Sequence, residues 1–392
     1  MKKITDDVIY IGTDHLDIDL FESQYRVPQG VSYNSYLILD EKIAIMDTAD
    51  VRKGEEWEAN LRKALGERRP DYLVVHHLEP DHSSMIARVL EIYPDIQIVT
   101  GVRSVKMLQQ FFDTPDIAGR CITMKEGDVL DLGKHKLHFY AAPMVHWPEV
   151  MVSFDEYDGA LYSADGFGKF GALSECGFYS SEDPDWSEEA RRYYINIVGK
   201  YGAQVQNLLK KAATLPIKSI RPLHGPMINE DLGKYIKLYD TWSSYAPESK
   251  GIMIAVASIY GGTIQVAEKL KELLESKGAE NVFIRDLCRT DISRNVSDAF
   301  RYEKLVLAAS SYDGGVFTPM HNFLHLLQIK CYTGRTVGII ENGSWAPSAA
   351  RVMNEMLSQM SNLTIVEPTV TIMSRMKSTD YPALEQLADA LL

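Results

Sequence analysis

The segment His77-Leu78-Glu79-Pro80-Asp81-His82 directly follows the apolar run Tyr72-Leu73-Val74-Val75, which is typical of a buried strand. A strand that ends in a tight loop can direct several side chains at one point. Two imidazoles with two carboxylates form a harder and more anionic set than the all-His or Cys-containing sets that zinc prefers. The motif therefore predicts a metal site at a strand end. The alternative is a polar loop with two incidental histidines.

The composition is that of a soluble globular chain, with 392 residues, of which 45% are apolar and 24% charged. This length exceeds one ordinary core, so two domains are expected. The net charge of −13 argues against nucleic-acid binding as the main task. No run approaches the roughly 20 apolar residues of a membrane span. The N-terminus turns acidic too early for a secretory signal, so we predict a cytoplasmic protein.

The four cysteines lie far apart in the sequence, at Cys121, Cys176, Cys288 and Cys331. Without a Cys-x-x-Cys pair, neither a zinc ribbon nor a disulfide framework is expected in a reducing compartment. We interpret all four as buried or partly buried thiols.

A domain boundary is predicted near residues 245–250, where a short linker with Pro and Ser separates two periodic regions. The predicted domains are residues 1–248 and 249–392. The first mixes strands and helices without regular alternation, which favours two sheets with helices outside. Its predicted strands are 31–39, 42–47, 71–75, 97–100, 136–141, 151–154, 160–163 and 219–223, the first two as a hairpin, and its predicted helices are 54–65, 188–212 and 232–242.

The second domain alternates strands and helices more regularly. Its predicted strands are 252–257, 281–286, 304–309, 335–340 and 363–367, and its predicted helices are 263–277, 320–329, 348–360 and 381–391. Five strands that alternate with helices over about 140 residues predict a doubly wound parallel sheet.

Three further candidate ligands, His146, Asp165 and His224, each follow a predicted strand and lie beside Gly or Pro turns. Taken singly, such a histidine is usually only hydrogen-bonded, and such an aspartate is usually a turn residue. With the opening motif they make seven donors, too many for one tetrahedral ion but suited to two ions that share a carboxylate. The seven predicted ligands are His77, Glu79, Asp81, His82, His146, Asp165 and His224.

The other histidines are not predicted as ligands. Alternation along an extended segment points His76 away from its neighbour His77. The remaining five have no supporting sequence context, and we interpret them as ordinary: His15, His135, His138, His321 and His325.

Three loops of the second domain are predicted at one edge of its sheet, where such sheets bind ligands. The first joins a strand to a helix with hydroxyls, small glycines and free N–H groups, which suits an anion. It is neither a Walker loop nor a dinucleotide fingerprint, and a plain strand-to-helix turn is the alternative. The candidate residues are Ser258, Ile259, Tyr260, Gly261, Gly262 and Thr263 in the first loop, Ser310, Ser311, Tyr312, Asp313, Gly314 and Gly315 in the second, and Asn342, Gly343, Ser344, Trp345 and Ala346 in the third.

Together these motifs resemble the flavodiiron proteins, a family with a metallo-β-lactamase-like αββα sandwich followed by a flavodoxin-like five-stranded domain. Glu79 stands where the His-x-His-x-Asp-His motif of dizinc β-lactamases has its second histidine. The resemblance implies that His77, Glu79 and His146 hold one iron, that Asp81, His82 and His224 hold the other, and that Asp165 bridges them. It also implies that Asp47 lies behind the ligands and orients one of them.

The resemblance further implies FMN at the three loops, with Trp345 and Tyr312 as contacts of the flavin ring. Electrons would pass through FMN to a non-haem diiron site that reduces O2 to water, NO to N2O, or both. The flavin would supply two electrons and the irons two more, which matches the four that O2 requires. Tyr193 and Tyr194 are candidates for a hydroxyl near the irons, with helix packing as the alternative.

No rubredoxin or flavin-reductase module follows within this sequence, so the resemblance implies a separate electron donor such as rubredoxin. That donor is commonly acidic, and the residues after Gly251 are nearly neutral in charge, so we expect it to dock on the second domain. A head-to-tail homodimer, or a dimer of such dimers, is also implied, because it brings FMN of one subunit beside the irons of the other.

Two alternatives remain open from the sequence. One is a dizinc hydrolase with a flavodoxin-like appendage, against which Glu79 and the three loops count. The other is a non-catalytic electron carrier whose first domain is only a scaffold, against which the seven-ligand set counts. Three carboxylates neutralise two divalent ions and support their oxidation, whereas zinc has no redox chemistry for a flavin partner to use.

Overall fold

The computed structural model describes residues 2–392. The chain forms two compact units, one comprising Met1–Tyr194 and Ala203–Asp240, the other Ile195–Gly202 and Thr241–Leu392. The domain limits 1–248 and 249–392 stay a prediction.

The first unit contains two sheets that face each other. In spatial order, the larger sheet consists of Lys2–Lys3, Val8–Tyr10, Tyr36–Leu39, Ile43–Met46, Tyr72–Val75, Gln97–Gly101 and Cys121–Met124, and the smaller of Val129–Asp131, Lys136–Ala141, Met151–Asp155, Ala160–Tyr162 and Ser219–Arg221. Buried side chains of both sheets, such as Val74 and Val99 with Phe139 and Tyr162, form one core. The core therefore fixes the strands whose ends carry the candidate ligands.

Two short ribbons accompany these sheets, Thr13–His15 with Val31–Tyr33 and Leu20–Phe21 with Tyr25–Arg26. The α-helices up to residue 243 are Gly54–Leu65, Pro80–Ser83, Ile86–Ile92, Val102–Phe111, Leu173–Cys176, Trp186–Tyr193, Gly202–Ala212 and Leu232–Ser243. The first of these has the predicted limits. It buries Trp57, Leu61 and Leu65 at a spacing of four residues and ends at Gly66, whose φ is 61°.

Two predicted elements of the first domain are wrong in part. The predicted strand 31–39 is two strands, because the Asn34 backbone N–H donates outside the ladder to the Leu223 carbonyl at 2.8 Å, and its side-chain amide donates to the carbonyls of Pro222 and Gly225, both at 2.8 Å. The predicted helix 188–212 is interrupted by a π-helix at Tyr194–Val198 and a 3-10 turn at Gly199–Tyr201. The interruption lies where the chain passes between the two units, and glycines at both ends of the turn weaken the helix.

The second unit has a parallel sheet in the order Val282–Asp286, Ser249–Ala257, Tyr302–Tyr312, Thr336–Asn342, with Thr364–Ile365 and Val370–Ile372 sharing the last position. Gly315–Val316 adds a short antiparallel pair. The helices are Gly262–Ser276, Ile292–Arg301, Thr318–Ile329, Ala349–Leu357 and Tyr381–Ala390. This strand order is that of flavodoxin, so the predicted fold class is confirmed.

Three details differ from the predictions for this part of the chain. The last strand is split around Pro368, which has no N–H for the ladder. The helix Ile292–Arg301 was not predicted, although Asp291 caps it by accepting from the Ser293 N–H at 2.9 Å. Cys331 is exposed rather than buried, because it lies in the turn after a helix with a φ of 62°. Within residues 2–392, no helix combines the length and apolar character needed to cross a bilayer.

Candidate metal centre and flavin loops

Four of the seven predicted ligands lie at the end of one strand. His77 follows Tyr72–Val75, and Glu79 precedes a single helical turn, Pro80–Ser83, that carries Asp81 and His82. Proline at the first helical position suits this abrupt start because it needs no backbone partner there. The short helix presents Asp81 and His82 on the same side as the preceding loop, and both are buried.

The other three predicted ligands come from the smaller sheet. His146 lies in the loop between Lys136–Ala141 and Met151–Asp155, while Asp165 and His224 follow Ala160–Tyr162 and Ser219–Arg221. These last two strands are parallel, with Tyr162 opposite Arg221, so their following residues meet at one edge.

Four donors form the first set, in which two imidazoles face two carboxylates. His77 Nε2 lies 3.3 Å from both Glu79 Oε2 and Asp165 Oδ2. His146 Nε2 lies 3.1 Å from the same two oxygens. These atoms converge closely enough to share one ion.

Three donors form the second set, Asp81, His82 and His224. Asp81 Oδ2 lies 3.2 Å from His224 Nε2 and 3.5 Å from His82 Nε2, and the two imidazole nitrogens are 2.9 Å apart. The other oxygen of Asp165, Oδ1, lies 3.4 Å from His82 Nε2 and 3.7 Å from His224 Nε2. Asp165 therefore turns one oxygen to each set, the arrangement of a bridging carboxylate.

The seven donors fit a pair of metal ions by their chemistry as well as their distances. Within the described residues, both oxygens of Asp81 and Oδ1 of Asp165 are buried without a hydrogen bond. Burial lowers the pKa of the His146 imidazole, but hydrogen bonds to Asp165 and Glu79 outweigh it and raise the pKa to about 9. Imidazole nitrogens and carboxylate oxygens held this close together are the donor atoms that a bound metal ion would share.

Glu149 supports the first set and was not predicted. Its Oε1 accepts from His77 Nδ1 at 2.9 Å and from the Leu78 N–H at 3.0 Å, and it is 3% exposed. A carboxylate behind a metal-binding imidazole fixes the ring and its tautomer. The sequence feature that could have identified Glu149 was its position three residues after the candidate ligand His146, in the same loop.

Asp47 does not orient a predicted ligand directly, so that prediction is wrong in detail. Its two oxygens bind the neighbouring residue His76, Oδ1 through the backbone N–H at 2.8 Å and Oδ2 at 2.6 Å from the ring Nδ1. His76 is buried with its Nε2 2.8 Å from Ser153 Oγ, outside both donor sets, as alternation predicted. Asp47 thus anchors the strand end from which His77 projects.

Aromatic rings enclose the second set. The rings of Phe21 and Tyr193 lie 5.3 and 5.6 Å from the His224 ring, whose Nδ1 donates to the Ser32 carbonyl at 2.7 Å. The Tyr193 hydroxyl is buried without a hydrogen bond in the described chain, which agrees with its candidacy as a pocket hydroxyl. Tyr194 instead packs against the Tyr239 ring at 5.1 Å.

The remaining histidines lie outside the two sets. His15 contacts the Tyr33 hydroxyl at 3.0 Å, and His321 and His325 are exposed on a helix. His138 pairs with Glu156 at the surface. His135 forms a further group of potential donors with Asp155 and Asp158; it is fully buried, and its Nδ1 lies 2.7 Å from Asp155 Oδ2, a context that the sequence did not reveal.

The three predicted loops of the second unit meet at the carboxyl edge of its sheet. Thr263 Oγ1 of the first lies 3.1 Å from Ser310 Oγ of the second. Ser311 Oγ of the second accepts from the Ser348 N–H after the third loop at 2.8 Å. Gly261 has a φ of 86°, a backbone conformation that glycine adopts without strain. No atom lies within 4 Å of the position that a Cβ would take there, so the space beside this turn is open.

Residues 373–377 form a fourth part of this edge that was not predicted. The Ser374 carbonyl accepts from the Asn342 amide at 3.1 Å, and its hydroxyl donates to Ser344 Oγ at 3.0 Å. This segment follows the strand Val370–Ile372, whose position next to Thr336–Asn342 became evident only with the sheet order.

Large side chains of these loops are unusually exposed. Tyr260 and Trp345 are 98% and 90% exposed, and Tyr312 is 48% exposed. Such rings beside a strand-to-helix turn suit a flat aromatic ligand with a phosphate. The edge therefore fits FMN by its chemistry.

Comparisons with known proteins agree with this architecture. The family model described as "ODP family beta lactamase" matches residues 31–225. A nitric oxide reductase of Moorella thermoacetica is 29% identical over 94% of this chain and 92% of its own length.

Two solved structures show the same fold. Rubredoxin oxygen:oxidoreductase of Desulfovibrio gigas has a TM-score of 0.93 at 24% identity over 100% of this chain and 97% of its own. The flavodiiron protein of Giardia intestinalis has a TM-score of 0.89 at 22% identity, and the match covers 99% of this chain and 95% of the Giardia chain. The chain therefore matches the β-lactamase-like family over residues 31–225, is similar to a nitric oxide reductase along nearly its whole length, and has the fold of the flavodiiron proteins.

Proposed function

We propose that this chain is an oxidoreductase that reduces O2 to water, NO to N2O, or both, at two non-haem iron ions, with electrons relayed through FMN. The observation that supports this most strongly is the carboxylate of Asp165, whose two oxygens face two separate donor sets. The relative from Moorella is named for NO and the structural neighbour from Desulfovibrio for oxygen, so both gases belong in the proposal.

The two iron ions would supply the redox chemistry, and the side chains would hold and orient the ions. His77, Glu79 and His146 would hold one ion, Asp81, His82 and His224 would hold the other, and Asp165 would contribute one oxygen to each. Three carboxylates neutralise most of the charge of two divalent ions and support a higher oxidation state. The dizinc hydrolase alternative is not favoured, because Glu79 replaces a neutral imidazole and zinc leaves the flavin unused.

The Tyr193 hydroxyl is the proposed proton-bearing group beside the irons. Burial, and after it the charge of Asp165, raises the pKa of Tyr193 well above its usual range. The hydroxyl therefore stays protonated and can donate a hydrogen bond to an oxygen or nitrogen atom of the substrate. Its ring stands against His224, and Phe21 closes the same side with apolar surface that limits water.

FMN is the proposed cofactor at the loop edge of the second domain, taken as residues 249–392. The first loop, residues 258–263, would hold the phosphate with its N–H groups and hydroxyls. Tyr312 and Trp345 of the other two loops would contact the ring. The exposure of Tyr260 and Trp345 on loops of the same sheet edge supports this assignment, since grouped exposed apolar surface is typical of a ligand-binding site.

Electrons are proposed to enter the first domain, residues 1–248, beside Trp147. The ring centroids of this indole and of His77 are 5.2 Å apart with nearly perpendicular planes, and Phe111, 43% exposed, stacks on the indole with a centroid distance of 6.4 Å. This pair connects the surface to a candidate ligand by aromatic contact. A head-to-tail homodimer, or a dimer of such dimers, would place the flavin loops of a second copy on this face.

The electron donor is proposed to be a separate, acidic rubredoxin-like protein in the cytoplasm. The name of the Desulfovibrio neighbour supports a rubredoxin. Arg375 and Lys377, both exposed, lie in the segment beside the third flavin loop and offer positive charge to such a partner.

Metal and flavin analysis tests the proposed cofactors. Protein reconstituted without oxygen should retain two irons and one FMN per chain. Two zinc ions with no flavin would support the hydrolase instead.

His82→Ala tests catalysis, with His138→Ala as the matched control because His138 is a partly exposed histidine of the same unit and lies outside both donor sets. We expect His82→Ala to abolish O2 and NO consumption while FMN is retained, and His138→Ala to behave as wild type. Unchanged gas consumption in His82→Ala would show that turnover does not require this side chain, and would contradict the proposed site.

A further inference from the structure

Glu341 is a buried carboxylate at the carboxyl end of the strand that leads into the third flavin loop. It is 8% exposed, and the loop residue Asn342 follows it directly. Its Oε2 accepts from the Ala350 N–H at 2.9 Å, and its Oε1 accepts from the Thr371 hydroxyl at 2.9 Å. Both donors are neutral, and no basic side chain of residues 2–392 forms an ion pair with it.

The same contacts place Glu341 under the loop edge. Ala350 belongs to the first turn of the helix Ala349–Leu357, whose start is also held by Ser311 of the second loop. Thr371 lies on the neighbouring strand, opposite Glu341 in the sheet register, and the loop residue Ser374 follows three positions later. One carboxylate thus connects the segments that flank the second, third and fourth loops.

A fixed negative charge in this position has an electrostatic consequence for a bound flavin. Electrons added to FMN place negative charge on its ring, and a nearby buried carboxylate opposes that charge more strongly than one in water. Its two hydrogen bonds come from neutral groups at 2.9 Å, one of them the N–H of a residue in the first turn of a helix. Without a basic partner, its charge is only partly compensated.

We propose that Glu341 is a positioning residue that holds the flavin loops in place and lowers the reduction potential of the bound FMN. This inference rests on the proposed function, because it requires FMN at the loop edge. It adds a means by which the chain sets the driving force for electron transfer from FMN to the metal centre.

Glu341→Gln tests the charge with little change of shape. The matched control is Glu355→Gln. Glu355 is an exposed glutamate of the helix Ala349–Leu357 and forms an ion pair with Arg351. We would measure the FMN potential by spectroelectrochemical titration of the full chain with dithionite and mediator dyes, and FMN affinity by fluorescence. In Glu341→Gln, reduced FMN should bind about tenfold more tightly relative to oxidised FMN, which is about 59 mV for a one-electron couple. Oxidised FMN should still bind within a few-fold of wild type.

Thr371→Val provides a second test if Glu341→Gln does not fold. It keeps the carboxylate and removes one of its hydrogen-bond donors, so the potential should move in the opposite direction, to more negative values. An unchanged potential in Glu341→Gln or Thr371→Val with FMN bound would overturn the inference and leave the proposed function intact. A wild-type chain that takes up no FMN would overturn both.

Discussion

Glu149 Oε1 lies 2.9 Å from His77 Nδ1, on the side of the imidazole opposite the nitrogen that faces Glu79 and Asp165. The glutamate is buried, and its hydrogen bond to the Leu78 N–H fixes it to the same loop. The imidazole is therefore held from behind by a carboxylate while Nε2 points into the centre. This pattern is common among metal-binding histidines, and it makes Glu149 part of the proposed metal site although it belongs to neither donor set.

Glu149→Gln should weaken iron retention roughly ten- to a hundredfold, because the ring of His77 loses its charged acceptor. The measurement is iron per chain after dialysis against a graded series of chelators. Glu156→Gln is the control, since Glu156 forms a His–Glu contact of the same 2.9 Å length with His138 at the surface. Equal iron loss in the two variants would contradict the role given to Glu149.

Asp165→Asn should at least halve the iron bound per chain, because a carboxamide lacks the second anionic oxygen that a bridge requires. Elemental analysis after anaerobic reconstitution measures this directly. Asp95→Asn, an exposed aspartate of the same unit, should leave the iron content unchanged. Full iron content in Asp165→Asn would show that the two donor sets do not share this residue.

Trp345→Ala should weaken FMN binding roughly fivefold, or about 1 kcal/mol, through loss of an aromatic contact. Fluorescence titration of the flavin-free protein gives the dissociation constant. Tyr381 supplies a control, because it is a partly exposed ring of the same unit that packs beneath Lys269 instead of at the loop edge. FMN affinity that falls equally in Tyr381→Ala would indicate a general loss of stability rather than a flavin contact.

His135 should make stability depend on pH. Burial alone would lower the pKa of its imidazole, but the hydrogen bond to Asp155 outweighs burial, so the pKa is raised in the folded chain. The ion pair therefore stabilises the fold fully below the unfolded pKa of about 6.5, and this stabilisation is lost as the pH rises through the folded pKa.

Urea unfolding of wild type and His135→Gln measures this contribution. The variant should be less stable by on the order of 1 kcal/mol at pH 5.5, and the difference should shrink as the pH rises. His138→Gln, at the exposed pair with Glu156, should show little effect at either pH. A difference that grows with pH would contradict the assigned direction.

Much of the fold followed from local sequence patterns. Apolar runs located the strands on either side of the ligands, and the helix Gly54–Leu65 has its predicted limits because its apolar residues repeat at helical spacing. The helix 188–212 was wrong in part because glycines weaken it within its length. The strand 31–39 was wrong in part because distant contacts decided it. Asn34 binds carbonyls about 190 positions away, and no local pattern reports that.

The candidate ligands were predictable because all seven lie at strand ends beside turns. Glu149 and Ser374 were not, since their roles depend on which segments become neighbours. Glu149 contacts a residue 72 positions earlier, and Ser374 contacts a loop residue 32 positions earlier across the sheet edge. A single glutamate after His-Trp-Pro, or a serine after a short strand, has many equally ordinary interpretations.

The most direct test of the account is gas turnover by the fully reduced, iron- and FMN-loaded chain. The protein is reduced without oxygen and then exposed separately to O2 and to NO, with O2 consumption followed by electrode and N2O by gas chromatography. We expect repeated turnover with at least one gas as long as a reductant is supplied, and its loss in His82→Ala. A loaded protein that turns over neither gas would contradict the central claim that the seven side chains form a reductase site.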